Sequence, residues 1–220
     1  MFFSLEMTAQ ALANRAIADL CYEPRQPISY FDLQRGNIAD ADWDRIEDAR
    51  RLLRTVPLVV GEQPAVTVSQ IAARARKEQQ RLERQGATLD AVVVDHIHIM
   101  AATNRYAGTR VHEVSEISAG LKALAKELGI PVLALAQLNR AVETRGEKEK
   151  RPLLSDLRDS GSIEQDADAV IFAYRAEYYL EKHCDDPGEE VVRQESLSAV
   201  KNILELIVAS RGRTRRTEWL

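Results

Sequence analysis

The sequence predicts an α/β domain built on a largely parallel sheet, and three observations carry that prediction. Strand-like apolar runs alternate with helix-periodic segments along the chain, joined by short loops, as in a parallel sheet flanked by helices. The run Ala91-Val92-Val93-Val94 is unbroken and three of its four residues are β-branched, which suits a strand buried on both faces. That run stops at Asp95, and polar residues also close two other apolar runs, at Glu6 and Gln137. Parallel strands bring their C-terminal ends to one edge, where open α/β sheets bind their ligands.

The remaining elements follow in order. Phe2 to Leu5 reads as a short strand. Thr8 to Tyr22 reads as a helix with Leu12, Ala16, Ile17 and Leu20 on one face, broken by Pro24 and Pro27. Ala41 to Leu53 repeats Trp43, Ile46, Ala49 and Leu53 at helical spacing, with Asp40 or Asp42 available as a cap. Pro57 to Val60 is a short strand. Thr67-Val-Ser-Gln70 matches a capping box, opening a helix that stops near Gly86. After the central strand and a polar loop, Val114, Ile117, Leu121, Leu124 and Leu128 mark the buried stripe of another helix, ended by Gly129-Ile-Pro131. Pro131 to Ala136 is a further buried strand. Ser162 to Gln165 matches a second capping box, and Ala169 to Tyr174 and Leu204 to Ala209 are strands. No linker, repeat or low-complexity segment divides residues 1–220, so a single domain is expected.

Composition narrows the class. Hydrophobic residues at 45% and charged residues at 29% are those of a globular protein. The formal charge of −4 argues against coating nucleic acid by bulk electrostatics and leaves room for a local basic groove. Cys21 and Cys184 have neither metal nor redox spacing and fit a reducing, cytoplasmic setting. No apolar run approaches the roughly 18–20 residues of a membrane span. The opening Met1-Phe-Phe-Ser-Leu-Glu6 lacks the layout of a signal peptide and reads as a strand already under way.

Glu6, Asp95 and Gln137 suit nucleoside-triphosphate hydrolysis. One carboxylate can organise Mg²⁺, another can accept a proton from the attacking water, and an amide can sense the γ-phosphate. Polar residues that merely punctuate strand ends would look the same. His96 and His98 flank Ile97 and would share a side in a strand, but no third metal ligand has suitable spacing, so they are assigned to loop packing.

Several segments resemble the replicative DNA helicase family of the DnaB type. They are Ser4-Leu-Glu-Met7, the Val-Val-Val-Asp95 strand, Leu121-Lys-Ala-Leu-Ala-Lys-Glu-Leu-Gly-Ile-Pro-Val132, Ala136-Gln-Leu-Asn-Arg140 and, most specific, Ser155-Asp-Leu-Arg-Asp-Ser-Gly-Ser-Ile-Glu-Gln-Asp-Ala-Asp168. The resemblance covers essentially the whole chain and implies a RecA-like fold of the P-loop NTPase type. It also implies ATP and Mg²⁺ as cofactors, a hexameric ring around single-stranded DNA, and unwinding during replication, with primase and a helicase loader as candidate partners. By that resemblance Glu6 polarises water, Asp95 is the Walker B residue on Mg²⁺, Gln137 couples the γ-phosphate to the DNA loops, and Arg158 contacts nucleotide.

The same resemblance turns two loops toward the ring's channel. Asn104, Arg105 and Arg110 lie after the Asp95 strand; Arg145, Lys148, Lys150 and Arg151 lie after the Gln137 strand. Lysines and arginines on loops can follow a phosphate backbone without reading sequence. A solvated charged loop is the alternative, since Glu143, Glu147 and Glu149 dilute the charge. At the C-terminus, Ser210 stands where the family has Lys, and Arg211 or Arg213 is the expected trans-acting finger on a neighbouring subunit's nucleotide.

The largest departure is the missing Gly-x-x-x-x-Gly-Lys-[Ser/Thr], which cradles phosphates in this family. The expectation is a partial motor domain: a RecA-like sheet incomplete for want of the phosphate-loop strand and helix, ATPase-deficient alone, and prone to aggregate through unpaired edges. A non-catalytic module that joins or poisons a helicase ring is the competing reading. A recombinase-type ATPase is a third, opposed by the Ser155–Asp168 run.

Overall fold

The computed structural model describes residues 1–103, 108–145, 150–157, 161–181, 187–210 and 213–218, the last six together with 187–192 and 210 as backbone alone. The chain packs as two units, Met1–Thr109 with Gly120–Ala136, and Arg110–Ala119 with Gln137–Leu220.

The first unit is a four-stranded, wholly parallel sheet flanked by helices. Its strands are β1 (Phe2–Ser4), β2 (Val60–Glu62), β3 (Val92–Asp95) and β4 (Val132–Ala134), in the order β2-β1-β3-β4. β1 and β3 take the centre because they carry the side chains that most need burial: Phe3, Val92 and Val94 are wholly inaccessible. Each large apolar side chain buried this fully contributes about 1.5–3 kcal/mol. Burial along β3 alternates, with Val93 and Asp95 only half-buried, so one face is sealed rather than the two expected. β4 departs further from its expected burial. Among the described strands it has β3 alone beside it, and Leu133 remains 51% exposed. The second strand begins at Val60 rather than Pro57, and Gly61 lets the Phe3 ring lie against it; a Cβ there would stand 3.3 Å from Phe3 Cδ1.

Three helices pack on one another early in the chain: α1 (Ala9–Leu20), α2 (Tyr30–Arg35) and α3 (Trp43–Thr55). Ile17, Cys21, Ile28, Ile46 and Ala49 form their core. α2 is absent from the sequence reading, although Ser29, Asp32 and Gly36 are signals for it. The Ser29 hydroxyl accepts the Asp32 N–H at 3.0 Å, and Gly36 closes the helix with φ +70°. Asp42 precedes α3 without capping it, because its carboxylate accepts Arg45 Nη1 at 2.9 Å instead. In α4 (Val68–Glu83) the capping box forms as expected: Gln70 N–H donates to Thr67 Oγ1 at 3.3 Å and Thr67 N–H to Gln70 Oε1 at 2.9 Å. α5 (Arg110–Leu128) buries Val114, Ile117, Leu121 and Leu124 and ends at Gly129 with φ +66°. Its Gly120 lies close under α4, where an added Cβ would meet Val68 Cγ1 at 2.9 Å.

The second unit carries an antiparallel sheet, β5 (Val170–Tyr174), β6 (Glu205–Ser210) and β7 (Arg213–Glu218), in that order. Phe172, Ile207 and Ala209 form its core, with Leu138, Leu154 and Leu157 packed against them. Three helices accompany it, α6 (Gly161–Asp166), α7 (Ala176–Leu180) and α8 (Pro187–Val200). α6 begins at Gly161, so Ser162 lies inside its first turn and the expected box from Ser162 does not cap it.

Candidate active site

The parallel sheet sets its polar residues along one edge. Ser4 pairs in register with Asp95 on one side and Glu62 on the other, so three strands end together in oxygen-bearing side chains. Beyond the sheet the strands stay tied. Leu5 N–H donates to Asp95 O at 2.9 Å, Leu135 N–H to Val94 O at 2.9 Å, and Ile97 N–H to Leu135 O at 3.0 Å. Ser4 is buried, and its hydroxyl donates to Met7 O at 2.6 Å, closing the bend that turns Glu6 outward. Glu6 is exposed and Asp95 half-buried, so the edge offers one carboxylate to solvent and holds the other on a rigid strand end. The peptide between Asp95 and His96 is cis. The buried His96 ring presents Nε2 to Glu6 Oε2 at 3.6 Å, and its centroid lies 5.8 Å from that of His98.

Mg²⁺ takes one or two protein carboxylates and completes its octahedron with water and substrate phosphates. Asp95, with Glu6 following the adjacent strand, fits that donor set. Among the described residues, no three or more His, Cys, Asp or Glu side chains converge as a protein-only cage would need. The phosphates of a nucleotide find no glycine-rich cradle in these residues, whose sequence lacks the Gly-x-x-x-x-Gly-Lys-[Ser/Thr] motif.

Gln137, exposed, lies just after β4, where the chain returns to the second unit. Four described basic residues from the expected DNA loops have partners within the protein. Arg110 pairs with Glu113 at 3.0 Å. Arg145 grips Asp156 with both terminal nitrogens, Arg151 pairs with Glu205, and Lys150 is buried with its Nζ 5.3 Å from the Tyr179 ring centroid. Asp156 is 3% exposed. Burial pushes its carboxyl upward, but the Arg145 guanidinium and the Leu153 N–H outweigh burial and hold it below the ordinary aspartate range. Sequence reasoning passed over Asp156 because an aspartate between serine and leucine gives no sign of burial. Asn104, Arg105, Lys148, Arg158 and Arg211 lie outside the described residues. Arg213 begins β7, opposite Ser210.

A family model described as the DnaB-like helicase C-terminal domain matches residues 1–215. The chain belongs to the DnaB-like helicase C-terminal domain family. It is 42% identical over 214 residues to the replicative DNA helicase DnaB of Rickettsia bellii, matching 94% of this chain and 40% of that protein. With the DnaB of Geobacillus stearothermophilus it shares 40% identity over 207 residues, again 94% of this chain and 40% of the relative. The chain therefore spans about 40% of the length of these relatives. A solved ATPase domain superposes with a TM-score of 0.77 at 29% identity, covering 98% of this chain and 68% of that one. A DnaB-like replicative helicase, solved in a study of its interactions with primase, gives the same score and identity over 98% of this chain and 46% of that one. The DnaB-like family and its RecA-like ATPase fold agree with the resemblance drawn from Ser4–Met7, Asp95 and Ser155–Asp168.

Proposed function

We propose that residues 1–220 are part of one motor domain in a replicative DNA helicase and contribute the carboxylate half of its ATP–Mg²⁺ site. The observation that carries this reading is the sheet edge that ends β3 in Asp95 beside the Glu6 turn, in a chain of the DnaB-like family. Asp95 would take Mg²⁺, which stabilises charge on the transferring phosphoryl group when bound. Glu6, exposed and turned outward, polarises the attacking water and takes its proton. Gln137 links nucleotide state to the DNA-facing loops, Arg158 adds a nucleotide contact, and Arg211 or Arg213 reaches the site of the neighbouring subunit. The whole protein works as a hexameric ring on single-stranded DNA in the cytoplasm, with primase and a loader as partners. Asn104, Arg105, Arg110 and the loop after Gln137 face its channel.

A non-catalytic module that enters a helicase ring is the competing reading of these 220 residues. Strand displacement on a forked duplex separates the two. A polypeptide joining these residues to a phosphate-loop segment is expected to unwind with ATP and to lose unwinding on Asp95→Ala. No unwinding by that polypeptide, together with poisoning of an active DnaB-type ring by the 220-residue chain, would select the module instead.

A further inference from the structure

Arg145, Lys150 and Arg151 carry positive charge in a loop expected to face DNA, yet each has a partner within the second unit: Lys150 is buried, and Arg145 and the exposed Arg151 pair with Asp156 and Glu205. Asp156 is the centre of this arrangement. Its carboxylate accepts Arg145 Nη1 at 2.9 Å, Arg145 Nη2, and the Leu153 N–H at 2.8 Å, while its backbone carbonyl accepts the Asn139 N–H at 2.8 Å. One buried residue thus ties the start of the loop, its middle and its end. A β-bridge between Leu138 and Leu157 closes the same base, and both leucines pack on the β5–β6 core. The other two cations brace the far side: Lys150 lies over Tyr179, and Arg151 lies over Tyr174 at 5.6 Å while pairing with Glu205. Tyr174 and Tyr179 are themselves stacked, with centroids 5.8 Å apart.

We propose that Arg145, Lys150 and Arg151 are positioning residues that shape this loop around Asp156, rather than contacts to the DNA backbone. A guanidinium that left Asp156 for a phosphate would strand a carboxylate with 3% exposure, and bidentate pairing makes Arg145 specific to that partner. Only the assay on DNA rests on the reading of this loop as DNA-facing; the anchor itself is read independently from amide exchange.

The experiment measures binding of a fluorescent oligodeoxythymidine by the full chain across a salt series, for Arg145→Ala, Arg145→Lys, Asp156→Asn and the double variant Arg145→Ala/Asp156→Asn. An anchor predicts that all four weaken binding by a similar factor, about tenfold, with the slope of log K against log salt unchanged. Lysine fails to rescue because it lacks the planar fork. A phosphate contact predicts the opposite pattern, and that result would overturn the proposal. The slope would fall by about 0.7 on losing Arg145, Arg145→Lys would retain binding, and Asp156→Asn would leave binding unchanged or tighter. Should the unmodified chain bind no oligodeoxythymidine, the DNA reading of the loop fails, and hydrogen exchange at the Asn139 and Leu153 amides decides the anchor. Faster exchange in Asp156→Asn, or in Arg145→Lys if the former does not fold, supports the proposal; unchanged exchange contradicts it.

Discussion

Asp95 and Asp156 show how differently two aspartates can be written into a sequence. Asp95 ends four apolar residues, of which Val92 and Val94 are fully buried, and stands half-buried at the strand's end. Its place was legible because hydrophobic patterning marks where a strand stops. Glu6 was legible for the same reason, at the end of Phe2 to Leu5. Nothing comparable marks Asp156, because its burial depends on partners distant in the chain, with Arg145 arriving from eleven residues away. The ion pair makes a pH-dependent prediction. The folded-state pKa of Asp156 is depressed, so its contribution is present above the unfolded value, about 3.9, and is lost as pH falls through the folded value. At pH 7, Asp156→Asn is expected to destabilise the chain by about 3 kcal/mol, because Arg145 loses the buried carboxylate it holds with both terminal nitrogens. Urea unfolding at descending pH should show that gap holding to about pH 5 and closing below about pH 4 as the wild-type carboxylate is protonated. A gap unchanged at pH 3 would rule out the charged carboxylate as its cause.

At the scale of elements, local chemistry was read well where one turn decides it. Thr67 and Gln70 specified their capping box without help from elsewhere, whereas Asp42 was drawn from capping by Arg45. The six-residue α2 was too short to show periodicity, although Ser29 and Gly36 bracket it with signals for both ends. The apolar run Pro131 to Ala136 implies a buried strand, but burial of a strand depends on its neighbours, which composition does not reveal. The contact between α4 and α5 gives a test of close packing. Gly120→Ala should gain about 1 kcal/mol of helix propensity and lose about 1–3 kcal/mol to crowding against Val68, a net loss. In a Val68→Ala background the same substitution should stabilise, since the obstructing methyl is gone. Thermal unfolding of the four proteins in this cycle measures the reversal.

For the whole molecule, the four-stranded parallel sheet and the flanking helices were legible from alternating periodicity. The antiparallel β5-β6-β7 sheet was not separated from it, because strand direction leaves no mark on short apolar runs such as Val170 to Tyr174. Leu133 of β4 and Leu135 just beyond it are exposed beside the edge of the described sheet, and β5 exposes Ile171. Exposed apolar edges are templates for further strands. Sedimentation of the 220-residue chain should therefore show concentration-dependent association, reduced by Leu133→Lys; a monomer at every concentration would refute this.

Glu6 is proposed to be the base of ATP hydrolysis beside Asp95. The measurement that tests it most directly is steady-state ATP turnover, with nucleotide binding in parallel, by a polypeptide joining these residues to a phosphate-loop segment. Glu6→Gln is predicted to keep Mg²⁺-dependent nucleotide binding and to lower kcat by about 10²–10⁴-fold. Turnover within a few-fold of the unmodified polypeptide would remove Glu6 from the chemistry and, with it, the proposed role of this sheet edge.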